Sequence, residues 1–541
     1  MTKQAPIPVI DIFAGPGGLG EGFSAFSERG FHPFKIALSV EKDAAAHNTL
    51  RLRSFFRQFA RGKAPDLYYD VLRRKVPLEE LPERLKATSD DLSVKWHAAN
   101  VEAMQAELGA VNHRREISRR IENAIGGKDR QWVLIGGPPC QAYSIVGRVR
   151  NRGNKKYKIE EDGRSMLYRE YLHIIAEHRP SIFVMENVKG MLSATVENQR
   201  VFDKILSDLR SPPSATARNG QPLRYRVVPI VKQDRPHGDT MLRPTDFVVT
   251  CEKYGVPQQR HRVILVGIRE DLADVDVPPL SPSEPPTVQQ TIGLLPRLRS
   301  GLSRKRYGDR YIPLQDSDEL WLATIRDWTI RGGDERRWLK KLAEESTSRV
   351  YETVVANVEN LRVPCTGRGG EFVPLEKSPL TALSLRDWLV DERLKGVCNH
   401  ESRVHLDSDL ARYLFAACYA RVFGESPKLD RFPADLKPNH ANAKDIELIF
   451  ADRFRVQVAG STATTVTSHL SKDGHYFIHY DPSQCRSMTV REVARLQTFP
   501  DNYLFCGSRT AQYVQVGNAV PPWIARQIAS SVWYTLMKSK R

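Results

Sequence analysis

Cysteine is scarce in this chain, and its spacing does not suggest a metal site or a disulfide framework. The 541 residues include seven cysteines, and no two of them have the Cys-x-x-Cys spacing of zinc sites and redox motifs. The pattern therefore predicts no metal, argues against a disulfide-stapled scaffold, and fits a reducing compartment.

Long apolar runs and internal repeats are also missing. Asp11 interrupts the first apolar stretch, which is too short for the core of a signal peptide. No later run is long enough to cross a bilayer. We therefore expect a cytoplasmic protein with no membrane partner.

Positive charge is in excess. Lysine and arginine number 81 against 64 aspartate and glutamate residues, which gives a formal charge of +17 and a pI near 9.5. A polyanionic partner is favoured, nucleic acid before membrane. The length exceeds what one compact core needs, so two or three domains are expected.

Strand-like and helix-like patterns alternate in the first half of the chain, which predicts an α/β fold with a largely parallel sheet. The predicted strands are Pro8–Phe13, Ile36–Glu41, Trp132–Ile135, Ser181–Met185 and Arg262–Gly267. The predicted helices are Tyr168–His178, Val490–Thr498 and Trp523–Met537. The polar stretch Arg51–Ser93 has helical spacing and is interpreted as an inserted helical region.

The character of the sequence changes at a cluster of prolines near Pro278. We expect a first domain over residues 1–277 with its insertion at about 51–93, and a second domain over residues 278–480. Residues 481–541, where the helical pattern resumes, are expected to return to the first domain and to complete both domains.

A glycine-rich loop follows the first predicted strand. Gly15-Pro16-Gly17-Gly18-Leu19-Gly20 satisfies GxGxxG, and Glu41 ends the next strand about 20 residues later. Glycines allow close backbone approach to a ligand, and an acidic side chain at this distance can hold ribose hydroxyls. The motif alone fits NAD, FAD or S-adenosylmethionine, and it also fits a plain tight turn.

Cys140 lies at the end of a predicted strand, in Gly136-Gly137-Pro138-Pro139-Cys140-Gln141. Two prolines stop the strand and stiffen the turn. A cysteine in this frame is placed to act as a nucleophile. The ordinary alternative is a buried, inert cysteine, which the rigid and specific surroundings disfavour.

Two further segments place charged side chains at strand ends. Glu186 follows the strand that ends at Met185, and it is expected at the same sheet edge as Cys140. Arg260 and Arg262 open a very apolar strand, and their spacing of two predicts that they point the same way, with guanidiniums suited to phosphate or a base carbonyl. The alternatives are a loop carboxylate and a solvated charge run.

Taken together, these motifs resemble the DNA (cytosine-5) methyltransferase family over nearly the whole chain and in the family's unpermuted order. They are Asp11-Ile-Phe-Ala-Gly-Pro-Gly-Gly, Pro138-Pro139-Cys140-Gln141, Glu161-Asp162-Gly-Arg164-Ser-Met-Leu167, Glu186-Asn187-Val188, Gln258-x-Arg260-x-Arg262, Arg486-Ser-Met-Thr489-Val-Arg491-Glu492 with Arg495-Leu-Gln497-Thr-Phe499-Pro500, and Gln515-x-Gly517-Asn518-Ala-Val-Pro. Any one of them could arise by chance, whereas the ordered set is highly specific.

The resemblance implies a Rossmann-like methyltransferase sheet with helices on both faces, a second and smaller target-recognition domain, and S-adenosylmethionine as cofactor. It implies that Cys140 attacks C6 of a flipped cytosine, that Glu186 holds N3, and that Arg260 and Arg262 stabilise the base and nearby phosphates. The cofactor residues that it implies are Phe13, Gly15, Gly17, Glu41, Asn100, Pro138, Leu167 and Asn518. Asn100 is the candidate for the position at which the family usually has an aspartate, after the third strand.

The segment after Cys140 is basic and, by resemblance, is the loop that closes over DNA. The DNA contacts that this implies are Gln141, Ser144, Arg148, Arg150, Arg152, Lys155 and Lys156. Target reading is assigned by position to residues 278–480, where the loops Arg362–Arg368 and Ser461–His469 are candidates.

The preferred interpretation is a bacterial, nucleoid-associated DNA modification enzyme that acts as a monomer on double-stranded DNA, with a restriction endonuclease as a possible partner. The alternatives are a tRNA-methylating member of the family, whose Cys-Phe-Thr signature is absent, and an inactive DNA-binding regulator. A nicotinamide dehydrogenase would explain the glycine loop but leave Cys140 unused. The target sequence and the base that removes the C5 proton are not determined by the sequence.

Overall fold

The computed structural model describes residues 5–60, 62–127, 130–139, 163–196, 199–212, 222–233, 241–272, 275–307, 310–344, 347–376, 383–438 and 452–539. Cys140 and residues 141–162 lie outside these ranges. In chain order the strands are β1 Ile7–Ile12, β2 Phe34–Glu41, β3 Ala103–Gln105, β4 Val133–Gly136, β5 Ile182–Val188, β6 Thr195–Val196, β7 Gln199–Arg200, β8 Tyr225–Val228, β9 Val248–Thr250, β10 His261–Arg269, β11 Gly301–Tyr307, β12 Arg310–Pro313, β13 Ile330–Arg331, β14 Asp334–Glu335, β15 Gly369–Pro374, β16 Gly396–Glu401 and β17 Val404–Leu406.

α-Helices cover about half of the described chain outside the strands. They are α1 Gly18–Ala25, α2 Ala44–Arg57, α3 Asp66–Leu72, α4 Leu81–Thr88, α5 Asp90–Glu102, α6 Val111–Ile125, α7 Gly163–His178, α8 Val201–Arg210, α9 Val288–Ile292, α10 Asp318–Thr329, α11 Arg337–Glu344, α12 Ser348–Glu359, α13 Leu383–Leu389, α14 Asp407–Phe423, α15 Val490–Leu496, α16 Arg509–Asn518 and α17 Pro522–Lys538. No helix in these described ranges combines the length and apolarity needed to cross a membrane.

The main sheet has the strand order β3-β2-β1-β4-β5-β10-β8, with β9 also paired to β10. The first five strands are parallel, whereas β8, β9 and β10 run antiparallel to their partners. The α/β class and the predicted strands are confirmed, and the parallel arrangement ends at β5. Because β10 runs antiparallel to β5, its amino end lies at the same edge of the sheet as the carboxyl ends of β1, β4 and β5.

Both faces of this sheet are buried by helices. Along β1, Ile10 and Ile12 face one core with helices α6, α7 and α8, while Ile7 and Val9 face a second core with α1 and α17. The alternation follows from the two-residue period of a strand. Gly22 lets α1 and α17 meet closely, because a Cβ there would lie 2.4 Å from the Ala525 Cβ. The helix α17 is therefore part of the main sheet's core.

A further hydrophobic core, separate from the two that flank the main sheet, lies in the later part of the chain. It is formed by α10, α11, α12 and α14 around Trp321, Trp338 and Phe415, beside the sheet β12-β11-β17. Another hydrophobic cluster joins α9, α15 and α16. Helix α15 begins at a capping box, in which Thr489 and Glu492 each bond to the other's backbone amide.

Helices α3, α4 and α5 occupy the segment between β2 and β3. Their apolar core includes Tyr68 and Tyr69 and also takes in Leu394 and Cys398 from the later part of the chain. The guanidinium of Arg393 donates to the carbonyls of Gly62 and Ala64 and pairs with Asp66. The inserted helices therefore pack against the segment that carries β16.

Candidate functional site

The glycine loop leaves β1 through an unusual backbone. Phe13 has φ of 56° and is half-buried, and Gly15 and Gly17 have φ of 57° and 93°. Positive φ is unstrained for glycine and rare for phenylalanine. The amide of Gly15 donates to Glu41 Oε2 at 2.8 Å, so the loop is tied to the end of β2. The structure therefore brings together four of the predicted cofactor residues, namely Phe13, Gly15, Gly17 and Glu41.

The loop is packed tightly on one side and open on the other. A Cβ on Gly18 would lie 2.3 Å from the carbonyl oxygen of Val520, and a Cβ on Gly17 would lie 2.7 Å from Leu50. At Gly15, by contrast, no atom of the described residues, apart from Gly15 and its two chain neighbours, lies within 4 Å of the corresponding position. This open cradle above Gly15, with the Glu41 carboxylate at its edge, is where a ligand can approach the backbone.

Asp11 lies beneath the loop and was missed as a site residue. Burial raises the pKa of its carboxyl to about 7, and nearby Glu41 and Glu102 add to the rise, although Arg57 and the Gly20 amide oppose it. The polar residue within the buried strand Ile7–Ile12 was the available signal. The site therefore holds a carboxyl group that changes charge near neutral pH.

The raised pKa of Asp11 predicts a pH-dependent effect of Asp11→Asn. The folded-state pKa exceeds the unfolded value of roughly 3.9, so ionisation of Asp11 increasingly opposes folding as pH rises from about 4 to about 7. Relative to the wild type, the asparagine variant should gain stability between pH 5 and pH 8, on the order of 1–3 kcal/mol because one pKa unit corresponds to about 1.4 kcal/mol.

Urea unfolding at pH 5 and pH 8 measures this difference. Any change in the free energy of unfolding that the amide causes independently of pH cancels when the two pH values are compared. An identical pH dependence in the two proteins would contradict the assignment.

The turn that leads to Cys140 is fixed against β5. A Cβ on Gly137 would lie 2.7 Å from Glu186 Oε2, so a larger residue here would push the carboxylate out of its position. The side-chain amide of Asn187 donates to the carbonyl of Pro138 at 3.3 Å, and Pro138 is buried. Cys140 itself lies outside the described residues, and Gly137, three residues before it, is the part of this turn that lies beside Glu186.

Glu186 and Arg262 form an ion pair across neighbouring strands. Arg262 Nε lies 2.8 Å from Glu186 Oε1, and the two side chains are 13% and 12% exposed. The antiparallel register places Ile264 opposite Glu186, so Arg262 reaches the carboxylate from two residues away. Two predicted site residues are thus in contact, at a partly open position beside the Gly137 turn.

The sequence predicts that Arg260 points the same way as Arg262 and contacts DNA. The structure places the Arg260 side chain differently. It is fully buried, and its two terminal nitrogens donate to the carbonyls of Val466, Gly517 and Ala519. Burial also lowers its pKa to about 9. Its side chain joins the strand entry to two distant segments, which makes it a positioning residue.

The predicted cofactor residues Leu167, Asn518 and Asn100 lie on three different helices. Leu167 lies near the start of α7 and is half-buried, and Asn518 is exposed at the end of α16. The placement of Asn100 after the third strand is wrong. Asn100 lies inside α5, before β3, and its amide donates to the carbonyl of Trp96. Gln105 is the residue that ends β3, in register with Glu41.

A cleft of about 530 Å³ adjoins the Glu186–Arg262 pair. Its walls come from the entry of β10 and from residues of the later part of the chain, and they are polar or basic over much of their extent. They include Lys189, Gln259, His261, Arg262, Arg455, Thr464, Thr465, Thr467 and Tyr476. Part of the predicted loop Ser461–His469 thus lies beside Arg262, whereas Arg362–Arg368 does not line this cleft.

The predicted DNA contacts Gln141, Ser144, Arg148, Arg150, Arg152, Lys155 and Lys156 all lie outside the described residues. They remain predictions from the sequence.

The sheet, the glycine loop tied to Glu41 and the glutamate beside the Pro-Pro turn form an α/β fold whose candidate site lies where the parallel strands end. The model of the C-5 cytosine-specific DNA methylase family matches residues 96–212, 246–370 and 395–533, which together exceed half of the chain. The chain belongs to this family.

Curated relatives agree with the family. Type II methyltransferase M.Bpa9945I of Bacillus paralicheniformis is 31% identical over 537 residues, which cover 97% of this chain and 98% of that protein. Type II methyltransferase M.AgeI of Thalassovita gelatinovora is 26% identical over 74% of this chain and 82% of its own length. DNA (cytosine-5-)-methyltransferase M.ApeKI of Aeropyrum pernix is 25% identical over 77% of this chain and 84% of its own.

Proposed function

We propose that this protein transfers a methyl group from S-adenosylmethionine to C5 of a cytosine that is flipped out of a specific double-stranded DNA sequence. The observation that carries the proposal is the Glu186–Arg262 pair at the sheet edge, directly beside the glycine turn into Cys140. Family membership and relatives named Type II methyltransferases support the same chemistry.

The residues at the glycine loop fit S-adenosylmethionine. The open cradle at Gly15 admits a ligand to the backbone. Glu41 offers carboxylate oxygens at the loop's edge, although each oxygen already accepts a hydrogen bond from a backbone amide. A carboxylate oxygen can accept more than one hydrogen bond, so Glu41 can still hold ribose hydroxyls. We propose that Phe13 lies against the adenine and that Gln105, in register with Glu41, takes the position that Asn100 does not occupy.

The chain's own residues divide the work at the cytosine. The Cys140 thiolate forms a bond to C6, and Glu186 holds or protonates N3, which makes C6 electrophilic. The resulting enamine carbon C5 accepts the methyl group that bound S-adenosylmethionine supplies. Loss of the C5 proton then allows elimination of Cys140 and restores the aromatic ring.

Arg262 holds Glu186 in place during this sequence. The guanidinium is fixed by its bond to Glu186 and by donation to the carbonyl of His261 at 2.9 Å. Because the ion pair is only partly exposed, it keeps the carboxylate oriented towards the turn of Gly137 and Pro138. A preorganised acid of this kind needs no rearrangement at the moment of reaction.

The cleft beside Arg262 supplies the place for the DNA. A base must leave the helix before its C6 can be attacked, and flipping costs a few kcal/mol. The basic and hydroxyl side chains Lys189, Arg455, Thr464 and Thr465 along this cleft can offset that cost through phosphate and base-edge contacts. The basic segment after Cys140 would add further phosphate contacts.

We further propose the division into a catalytic domain at 1–277, a target-recognition domain at 278–480 and a return segment at 481–541. The supporting observation is that α17 packs with the catalytic sheet, whereas the core around Trp321 draws on residues 302–485. A monomer would suffice for this activity. Restriction-modification is the proposed setting, with an endonuclease that cuts the same sequence as the partner.

Tritium transfer from labelled S-adenosylmethionine tests the function. Unmethylated bacterial genomic DNA and bulk tRNA serve as parallel acceptors, and the digested product is analysed for 5-methylcytosine. Label in DNA alone is expected, because both the family and its named relatives are DNA enzymes. Label in tRNA but not in DNA would contradict the proposal.

A further inference from the structure

The glycine loop is supported from below by a tyrosine of the return segment. The Tyr503 hydroxyl donates a hydrogen bond to the carbonyl of Pro16, inside the loop. It would also lie 3.1 Å from a Cβ on Gly17, and the whole side chain is buried. Tyr503 therefore lies against Pro16 and Gly17, the two residues that separate Gly15 from helix α1.

Arg53 holds Tyr503 from the other face. Its guanidinium lies 4.8 Å from the centre of the Tyr503 ring and 4.0 Å from that of Phe56. It also donates to Glu21 Oε2 at 2.8 Å and to Asn502 Oδ1 at 2.8 Å. Burial alone would raise the pKa of Glu21, but the charge and hydrogen bonds of Arg53 outweigh burial and lower it. The group beneath the loop is thus charged, paired and fixed in geometry.

The same group is bonded to the inserted helices and to the segment before β16. Asn502 Nδ2 donates to Asp391 Oδ2 at 2.6 Å, and the Tyr69 hydroxyl donates to the same oxygen at 2.8 Å. The Tyr68 hydroxyl donates to the Asn502 carbonyl at 2.8 Å. A continuous chain of hydrogen bonds and ring contacts therefore runs from Asp391 through Asn502 and Arg53 to the glycine loop.

We propose that Tyr503 is a positioning residue for cofactor binding, which holds the glycine loop in its binding conformation and connects it to the inserted helices and to Asp391. The inference rests on the proposed use of S-adenosylmethionine at that loop. It assigns a role to the 51–93 insertion, namely to support the cofactor loop through the Tyr68 and Tyr69 contacts.

Tyr503→Phe removes only the hydroxyl and keeps the ring beneath Gly17. The matched control is Tyr225→Phe, because the buried Tyr225 hydroxyl also donates to a proline carbonyl, that of Pro180, at 2.8 Å, in a part of the sheet away from the loop. Calorimetry gives the Kd for S-adenosylmethionine, steady-state kinetics give KM and kcat, and thermal unfolding gives Tm for each protein.

Tyr503→Phe should raise the Kd and the KM for S-adenosylmethionine about fivefold to tenfold, as expected for one hydrogen bond, with kcat at saturating cofactor within about twofold of the wild type. Tyr225→Phe should lower Tm by a similar amount but leave the cofactor Kd within about twofold. An unchanged Kd in Tyr503→Phe, or an equal loss in both variants, would overturn the inference. Absence of S-adenosylmethionine binding by the wild type would instead count against the proposed function.

Asp391→Asn provides a second variant if Tyr503→Phe does not fold. Asp391 is half-buried and touches no part of the glycine loop, yet its carboxylate accepts the bonds from Asn502 and Tyr69. A rise of about threefold in the cofactor Kd is expected, with kcat at saturating cofactor retained. A cofactor Kd equal to that of the wild type in this variant would show that the connection does not reach the loop.

Discussion

Replacement of Cys140 by serine is expected to abolish methyl transfer while binding of DNA and S-adenosylmethionine survives. A serine hydroxyl stays protonated near neutral pH and is a far weaker nucleophile than a thiolate. Because the oxygen is smaller than the sulfur and the Pro138-Pro139 frame is kept, the site should remain folded. Tritium transfer to DNA measures the loss, with a gel-shift assay for binding.

The matched control is Cys418→Ser, since Cys418 is a free cysteine of α14 that does not line the cleft beside Arg262. This variant should retain full activity. A duplex with 5-fluorocytosine at the target should also trap the wild type covalently through Cys140, because fluorine cannot leave C5 as a cation. Substantial turnover by Cys140→Ser, or an adduct on another cysteine, would contradict the mechanism.

The second large effect is expected from Glu186→Gln. The amide keeps the shape of the side chain but cannot donate a proton to N3 in the way that a carboxylic acid can, and it loses the charge that pairs with Arg262. Loss of acid catalysis of this kind typically costs about 10²- to 10⁴-fold in rate. Single-turnover methylation should show that loss in the chemical step, with the cofactor Kd unchanged.

Glu252→Gln is the control for this variant. Glu252 also pairs with a residue of β10, His261, at 2.8 Å, but no predicted site residue depends on it. Its methylation rate should stay within about threefold of that of the wild type, because the pair lost is the one with His261 and the Glu186–Arg262 pair is kept. A Glu186→Gln rate within tenfold of the wild type would remove Glu186 from the reaction.

The sequence predicted those parts of the site that local patterns determine. The positions of Phe13, Glu41 and Glu186 near one sheet edge could be predicted because apolar runs stop there and the carboxyl ends of parallel strands meet, although β5 continues to Val188, two residues past Glu186. The contact between Glu186 and Arg262 follows from the motif order only once β5 and β10 are known to be neighbours. Their antiparallel pairing could not be read from either strand alone.

The errors arose where distant segments decide the environment. Arg260 is buried because Val466, Gly517 and Ala519 supply its acceptors, and these lie more than 200 residues away in sequence. Asn100 lies in a helix whose first turn carries Asp90 and Asp91, which suits the positive helix end. The following strand has only three residues, too short to show a period, so the sequence predicts no strand there and Asn100 could be chosen only by resemblance.

The most direct test of the central claim is the methylation pattern that the protein leaves on a genome. The protein is expressed in a host that lacks cytosine methylation, and the genomic DNA is sequenced for 5-methylcytosine, with the Cys140→Ser variant expressed to the same level in parallel. The account predicts 5-methylcytosine at one defined sequence throughout the genome of cells with the wild type, and none with the variant. A soluble wild-type protein that leaves the genome unmethylated, or methylation that persists with Cys140→Ser, would contradict it.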